Sequence, residues 1–201
     1  MFSAFLFAWL QGAGFYRQLH ALALSRVSPG SGERWIEVGC GPGLLSRLAA
    51  QRGFRGVGID LNRESIWVAR LLGFSLRSTM RFEVGTLESL GDRTADVVAA
   101  SSLMAVLPDR ENGLQSLWQS VAPSGYLLVI EPTSRLTANN VEALISSGSL
   151  PSKRIRGLRL WARARENETV DERIFDSLQN HLEDYSEMLD GMIGIWVFRK
   201  P

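Results

Sequence analysis

Short apolar segments alternate with amphipathic segments through the middle of the chain. The apolar segments are four to six residues long, which is typical of strands that are buried on both faces of a parallel sheet. The segments between them have apolar residues at helical spacing. This alternation predicts an α/β fold with a doubly wound, mostly parallel, Rossmann-like sheet. The predicted strands are 35–38, 56–60, 80–84, 96–100 and 126–131, and the predicted helices are 44–51, 63–72 and 110–121.

The first 24 residues are apolar enough to raise the question of a signal peptide or a membrane span. Gln11 and Gly12 interrupt the apolar run after about ten residues, well short of the roughly 20 that cross a bilayer. Residues 1–32 are therefore predicted to form an N-terminal helical arm of two short amphipathic helices. The arm is rich in Phe and Trp and has no acidic residue before Glu33. These features favour a peripheral contact of the arm with a membrane.

The C-terminal third departs from the strand–helix alternation. Residues 133–180 predict helices that form an insert over the substrate, and one of them is predicted to begin at Thr169 as N-cap, with Glu172 three residues later. Residues 181–201 contain two strand-like runs, which predict an antiparallel hairpin and a total of seven strands. With residues 33–132 as the cofactor-binding core, we expect one domain over residues 1–201.

Composition narrows the class of function. The 201 residues include 22 basic and 21 acidic side chains, a net charge of +1, so nucleic acid is an unlikely partner. Cys40 is the only cysteine, and we interpret it as a small buried residue of a protein in a reducing cytoplasm. His20 and His181 are the only histidines and lie far apart in sequence, so no metal site is expected.

The segment GCGPG, residues 39–43, follows the first predicted strand, where open α/β sheets bind ligands. A tight turn without a ligand is the plain alternative. A dinucleotide fingerprint would need a third glycine where Leu44 stands. Glu37 precedes the turn, and its carboxylate would repel a pyrophosphate and attract an ammonium group. Asp60 ends the second strand, where a carboxylate can accept hydrogen bonds from both ribose hydroxyls, and Leu61 could lie against a purine. We therefore predict a nucleoside-like ligand with a cationic group.

Five segments occur in a fixed order between residues 34 and 132. They are WIEVGCGPG, GVGIDLN, FEVGTLESL, ADVVAASSLMAVLPD and LQSLWQSVAPSGYLLVIEP. In this order and spacing the chain resembles the class I S-adenosylmethionine-dependent methyltransferases, in particular the small-molecule branch with the quinone-biosynthesis and type 11 enzymes. The resemblance implies S-adenosyl-L-methionine as cofactor and a small, apolar or quinone-like methyl acceptor. A cofactor-binding protein of the same fold without turnover is the alternative, and a nucleic-acid methyltransferase is a weaker one.

The resemblance also implies which residues contact the cofactor. Glu37 and the glycines of the turn would hold its methionine end, Asp60 its ribose, and Thr86 with Leu87 its adenine. Thr86 stands where the family commonly has aspartate, which predicts weaker anchoring of the adenine. The complete predicted cofactor set is Glu37, Gly39, Cys40, Gly41, Gly43, Asp60, Leu61, Thr86, Leu87, Ser101 and Ser102.

No residue stands out as a catalytic base. Tyr16, His20 and His181 are weak catalytic candidates, and a structural role explains each of them as well. In relatives, the helix before the sheet carries an aromatic residue near the methyl group, and Tyr16 would match it. Tyr16, Met104 and Arg159 are predicted to contact the acceptor. Arg159 belongs to a basic run over residues 153–165, for which a solvated helix face is the alternative.

Overall fold

The computed structural model describes residues 3–27, 30, 33–165 and 168–201. Seven strands form one sheet in the order β3-β2-β1-β4-β5-β7-β6. The pairs among β1 to β5 are parallel, whereas β7 runs antiparallel to both β5 and β6. The predicted α/β fold with its antiparallel C-terminal hairpin is confirmed. The strands are β1 (Arg34–Val38), β2 (Arg55–Asp60), β3 (Met80–Val84), β4 (Ala95–Ser101), β5 (Val121–Pro132), β6 (Leu182–Met188) and β7 (Ile193–Arg199).

Side-chain caps begin several of the helices. Asn62 accepts a hydrogen bond from the Ser65 N–H at the start of one, and Asp109 accepts one from the Asn112 N–H at the start of another. Four short 3₁₀ segments lie at Phe74–Leu76, Leu87–Leu90, Met104–Val106 and Glu172–His181. The α-helices are α1 (Ala4–Gln11), α2 (Gly14–Ser25), α3 (Leu44–Gln51), α4 (Arg63–Leu72), α5 (Arg110–Gln119), α6 (Ala138–Ser146) and α7 (Arg156–Arg165).

The core lies on both faces of the sheet. One hydrophobic cluster lies on each face. In β4, the side chains of Val97 and Ala99 belong to the first cluster, which α2, α3, α4 and α7 cover. Val98 and Ala100 point to the other face, where α5 and the last 3₁₀ segment cover them. This alternation is the reason that the central strands have no polar side.

The N-terminal arm packs into the domain. Phe15, Leu19 and Ala23 of α2 are fully buried in the first cluster, whereas Phe5 of α1 is exposed. Within the described part of the chain, no helix is long and apolar enough to cross a membrane. Residues 28, 29, 31 and 32, at the predicted end of the arm, lie outside the described residues.

Three predicted boundaries are wrong. The helix predicted over residues 110–121 ends at Gln119. The strand predicted over residues 126–131 begins at Val121, which pairs with Ala95 of β4. A buried valine suits either element, so periodicity could not separate them. The predicted N-cap Thr169 does not begin a helix. Asp171 begins the 3₁₀ segment instead, and its carboxylate accepts a hydrogen bond from the Arg173 N–H.

Candidate functional site

The glycine turn lies where the strand order reverses, between β1 and β4. Gly39, Gly41 and Gly43 all have positive φ angles, of 71°, 52° and 76°, which L side chains rarely adopt. A Cβ at Gly41 would also lie 2.8 Å from Cε1 of Phe7 in α1. The turn therefore needs its glycines for its backbone conformation, and α1 passes directly over it.

Asp60 connects the end of β2 to this turn. Its Oδ2 accepts a hydrogen bond of 2.7 Å from the Gly41 N–H, and its Oδ1 accepts one of 2.7 Å from the Asn62 N–H. Burial raises the pKa of Asp60, and these two N–H groups oppose the rise. Leu61 follows with 74% of its surface exposed. The structure thus brings three predicted cofactor residues, Asp60, Leu61 and Gly41, to one edge of the sheet.

Glu37 is buried beneath the same turn. Its Oε2 accepts hydrogen bonds from the Ser46 N–H, at 2.8 Å, and from the Ser46 hydroxyl. The Ser46 hydroxyl in turn accepts a bond from Trp35 Nε1 at 3.1 Å. Burial raises the pKa of Glu37 to about 7, although the Ser46 bonds and the Arg47 guanidinium lower it. Glu37 therefore fixes the first turn of α3 in addition to any contact with a ligand.

A second buried carboxylate, Glu131, was not among the predicted site residues. It is the last residue but one of β5, and its Oε1 accepts hydrogen bonds of 2.8 Å from the N–H groups of Leu103 and Met104. Its Oε2 accepts a third from the Ala105 N–H at 3.3 Å. Burial raises its pKa to about 7 against the effect of these bonds. Glu131 fixes the loop after β4, and the only signal in the sequence was an acidic residue at the end of an apolar strand.

Tyr16 is enclosed by the rings of Phe7, Phe15, His20 and Trp161, with centroids 4.5 to 6.2 Å away. Burial raises the pKa of the Tyr16 hydroxyl well above its usual range, with smaller contributions from Glu37 and Glu131 and an opposing one from Arg165. The raised pKa favours the protonated hydroxyl, which suits packing or hydrogen-bond donation.

His20 and Ser101 meet beside Tyr16. His20 Nδ1 lies 2.8 Å from the Tyr16 carbonyl oxygen, and Nε2 lies 3.0 Å from Ser101 Oγ. Ser102 follows with a φ of 54° and donates its N–H to the Ile130 carbonyl. The predicted candidates Tyr16, His20 and Ser101 are therefore neighbours, although α2 and β4 are far apart in sequence.

Thr86 and Leu87 lie at the end of β3. Thr86 begins the 3₁₀ segment Leu87–Leu90, and its N–H donates to Ser89 Oγ at 2.9 Å while its hydroxyl accepts from the Ser89 N–H. The Thr86 hydroxyl thus has a local structural partner. Its predicted contact with adenine remains a prediction.

Met104 and Arg159 have partners away from the turn. Met104 is fully buried on the α5 face of the sheet. Arg159 forms two hydrogen bonds, of 2.5 and 2.7 Å, to Glu142 and joins α7 to α6. Cys40 lies in the turn itself with its side chain buried, and burial raises the pKa of its thiol well above the usual range. Their predicted contacts with cofactor or acceptor remain predictions.

His181 lies at the end of the sheet that is opposite the glycine turn. It precedes Leu182, the first residue of β6, and Leu182 pairs with Phe198 near the carboxyl end of β7, which runs antiparallel to β5. Its ring packs on Trp118 at 5.0 Å. His181 therefore lies away from the carboxyl ends of the parallel strands, where the glycine turn and Asp60 meet.

Two buried polar atoms near the turn have no hydrogen-bond partner in the described part of the chain. They are Gln11 Oε1 and Trp161 Nε1. The Gln11 amide lies 3.8 Å from the position of a Cβ at Gly41, and the Trp161 ring lies 5.2 Å from that of Tyr16. Buried polar groups normally have partners, so both atoms suit contacts with a bound polar ligand. Together with Asp60 and the backbone of the turn, they fit a nucleoside with a charged amino-acid end.

The fold and this arrangement define a Rossmann-like protein with a ligand site at the switch point of the sheet. The model of a family described as "Methyltransferase domain" matches residues 9–185. The chain therefore belongs to this methyltransferase domain family, as the resemblance of its five segments implied.

Curated relatives and solved structures agree with this family. The chain is 33% identical over 137 residues to the ubiquinone biosynthesis O-methyltransferase of Xylella fastidiosa (strain 9a5c), which covers 64% of this chain and 56% of that protein. It is 30% identical over 136 residues to the protein of the same name from Bordetella avium (strain 197N), with 63% and 56% covered. The chain thus spans about half the length of the curated relatives it matches.

Among solved structures, the N-methyltransferase NodS from Bradyrhizobium japonicum WM9 in complex with S-adenosyl-L-homocysteine has a TM-score of 0.69 at 16% identity, covering 96% of this chain and 90% of that one. The plantazolicin methyltransferase BpumL, also in complex with S-adenosylhomocysteine, has a TM-score of 0.64 at 13% identity, covering 94% and 85%. At these identities the likeness supports the fold.

Replacing Glu37 with Gln should change how stability depends on pH. The folded pKa of about 7 exceeds the ordinary 4.5, so the folded state holds this proton more tightly than the unfolded state. The resulting stability is present below about pH 4.5 and is lost as the pH rises to about 7. Relative to wild type, Glu37→Gln should therefore gain free energy of unfolding between pH 5 and pH 8, measured by urea titration at each pH.

The matched control is Glu111→Gln, which neutralises an exposed carboxylate on α5. Its difference from wild type should stay constant over the same pH range. A pH-independent difference for Glu37→Gln, or one of opposite sign, would contradict the assignment of a raised pKa to Glu37.

Proposed function

We propose that this protein transfers a methyl group from S-adenosyl-L-methionine to a small-molecule acceptor. The single observation that carries the proposal is the Asp60 carboxylate, held against the Gly41 N–H at 2.7 Å across the switch point. A half-buried carboxylate beside a glycine turn with positive φ angles suits the ribose of a nucleoside cofactor. Membership of the methyltransferase domain family supports the same assignment.

Different residues around the turn would contact different parts of the cofactor. Asp60 would accept hydrogen bonds from the ribose hydroxyls, and Leu61 would lie against the adenine. Glu37 and the Gln11 amide, beside the turn, would contact the methionine end. When bound, the cofactor supplies an activated methyl group, and the protein aligns the acceptor with it and excludes water.

The acceptor side of the site is aromatic. We infer that it lies beside the packed rings of Phe7, Tyr16 and Trp161, and Trp161 Nε1 has no hydrogen-bond partner among the described residues. These rings suit a flat, apolar acceptor that carries a polar atom. Because the matched relatives are named ubiquinone biosynthesis O-methyltransferases, we infer a quinol-like acceptor that is methylated at oxygen. A family member that binds the cofactor without turnover is the alternative, and transfer of labelled methyl to quinols separates the two.

Calorimetric titration with S-adenosyl-L-methionine tests the proposal. Wild type should bind, and Asp60→Ala should weaken binding about 100-fold or more, since hydrogen bonds to a charged group contribute roughly 1.5–3 kcal/mol each. Glu111→Ala, which removes an exposed carboxylate of α5, should leave the affinity unchanged. No binding to wild type at high micromolar cofactor would overturn the proposal, and unchanged affinity in Asp60→Ala would refute the ribose assignment.

We also infer that the protein contacts a membrane surface through an apolar face formed by Phe5, Trp67, Leu71 and Phe74. Each of these side chains is more than half exposed. Phe5 of α1 meets Trp67 of α4 edge to face at 5.9 Å, so the two helices form one surface. Residues 61–81 carry four arginines against one acidic residue, which suits anionic lipid. Exposed aromatic and leucine side chains beside cationic ones are typical of interfacial binding.

Flotation with liposomes that contain anionic lipid tests this contact. Wild type should float with the vesicles, and a variant with all four residues of the apolar face changed to Ser should stay at the bottom of the gradient. Deleting the arm is not a suitable test, because Phe15 and Leu19 are buried in the core. The control is a variant with Val106, Leu160 and Tyr185, exposed elsewhere, changed to Ser. Equal flotation of wild type and the four-residue variant would refute the contact.

A further inference from the structure

A buried histidine is connected to the site through one serine. His20 Nδ1 lies 2.8 Å from the Tyr16 carbonyl oxygen, and Nε2 lies 3.0 Å from Ser101 Oγ. A carbonyl oxygen only accepts hydrogen bonds, so the proton of this bond must be on Nδ1. The backbone of α2 therefore fixes which nitrogen of His20 carries its proton.

The direction of the second hydrogen bond follows from the first. Burial lowers the pKa of His20 to about 4, so the ring is neutral near pH 7 and has a single N–H. With Nδ1 protonated, Nε2 can only accept, and the Ser101 hydroxyl must donate to it. The lone pairs of Ser101 Oγ are then left to accept from another donor.

Ser101 lies beside the glycine turn. It ends β4, next to the end of β1 and the start of the glycine turn. The Tyr16 ring stacks on His20 with centroids 4.5 Å apart, and Trp161 packs against Tyr16. Ser101 is half-buried, so its oxygen is not sealed in the core as His20 is.

We propose that Ser101 and His20 form a proton relay that removes the proton of a methyl acceptor whose reacting oxygen carries a hydrogen. The inference rests on the proposed function and deepens it. Ser101 contacts the acceptor, whereas His20 acts through Ser101 and is a positioning residue that also receives the proton.

The step balances in atoms and charge. A lone pair of the acceptor atom forms the new bond to the methyl carbon, and the electron pair of the broken bond stays with the leaving sulfur. The acceptor's O–H bond breaks, its proton goes to Ser101 Oγ, and the proton of Ser101 goes to His20 Nε2. The positive charge that entered with the methyl donor then resides on the imidazolium. The proton of a newly methylated oxygen is strongly acidic, so a weakly basic imidazole is sufficient to take it. Because the imidazole is weakly basic, it then releases the proton to water.

The nitrogen-15 NMR spectrum of the imidazoles tests the hydrogen-bond direction without any turnover. The chain has two histidines, and His181→Gln assigns the remaining signals to His20. We expect His20 in the Nδ1–H form, and we expect Ser101→Ala to shift the Nε2 signal while Nδ1 stays protonated. An Nε2–H form of His20 in wild type would overturn the relay, because Ser101 would then be the acceptor of that bond.

Kinetics of labelled methyl transfer to hydroquinone, an O–H probe, form the second arm. His20→Gln and Ser101→Ala should lower kcat by roughly 100-fold, Ser101→Thr should restore most of it, and His181→Gln should leave it unchanged. An unchanged kcat in Ser101→Ala would overturn the relay.

If hydroquinone is not methylated, the tautomer of His20 in the NMR spectrum alone decides whether the relay stands. Calorimetric titration with S-adenosyl-L-methionine distinguishes failure of the relay from failure of the proposed function. If the cofactor binds but His20 is in the Nε2–H form, only the relay is refuted. If the cofactor does not bind, the proposed function is refuted.

Discussion

The hydrogen bond from the Gly41 N–H to the Asp60 carboxylate is the contact on which the site depends. It joins the end of β2 to the turn after β1. That turn requires glycine at its left-handed positions and leads directly into α3, whose first turn Glu37 holds through Ser46. The strand ends, the turn and the helix are therefore fixed as one unit, and a ligand would meet a rigid edge.

Two buried carboxylates organise the two sides of the switch point. Glu37 binds the backbone after β1, and Glu131 binds three consecutive N–H groups after β4. Both side chains are almost fully buried, and this burial raises the pKa of each to about 7. The hydrogen bonds that each carboxylate accepts offset part of the free-energy cost of burying it. The result is a pair of loops held in place on either side of the position where a cofactor would lie.

The alternating pattern was sufficient to predict the sheet and the edge at which Glu37, Gly41 and Asp60 meet, because strand ends and turns are local features. Contacts between distant segments were not predictable in this way. Glu131 looked like part of a strand, and its partners are residues of another loop. Arg159 looked available for a ligand, but Glu142 of another helix binds it. His181 could be assigned to the amino end of the sheet only once the register of β6 was known.

A crystal structure of the protein with S-adenosyl-L-homocysteine tests the ribose contact of Asp60 most directly. We expect the nucleoside above the glycine turn, with both ribose hydroxyls within hydrogen-bond distance of the Asp60 carboxylate. We expect the adenine against Leu61 and the sulfur toward Tyr16 and Ser101. A nucleoside bound elsewhere on the protein, or one at this edge whose ribose does not contact Asp60, would contradict this assignment.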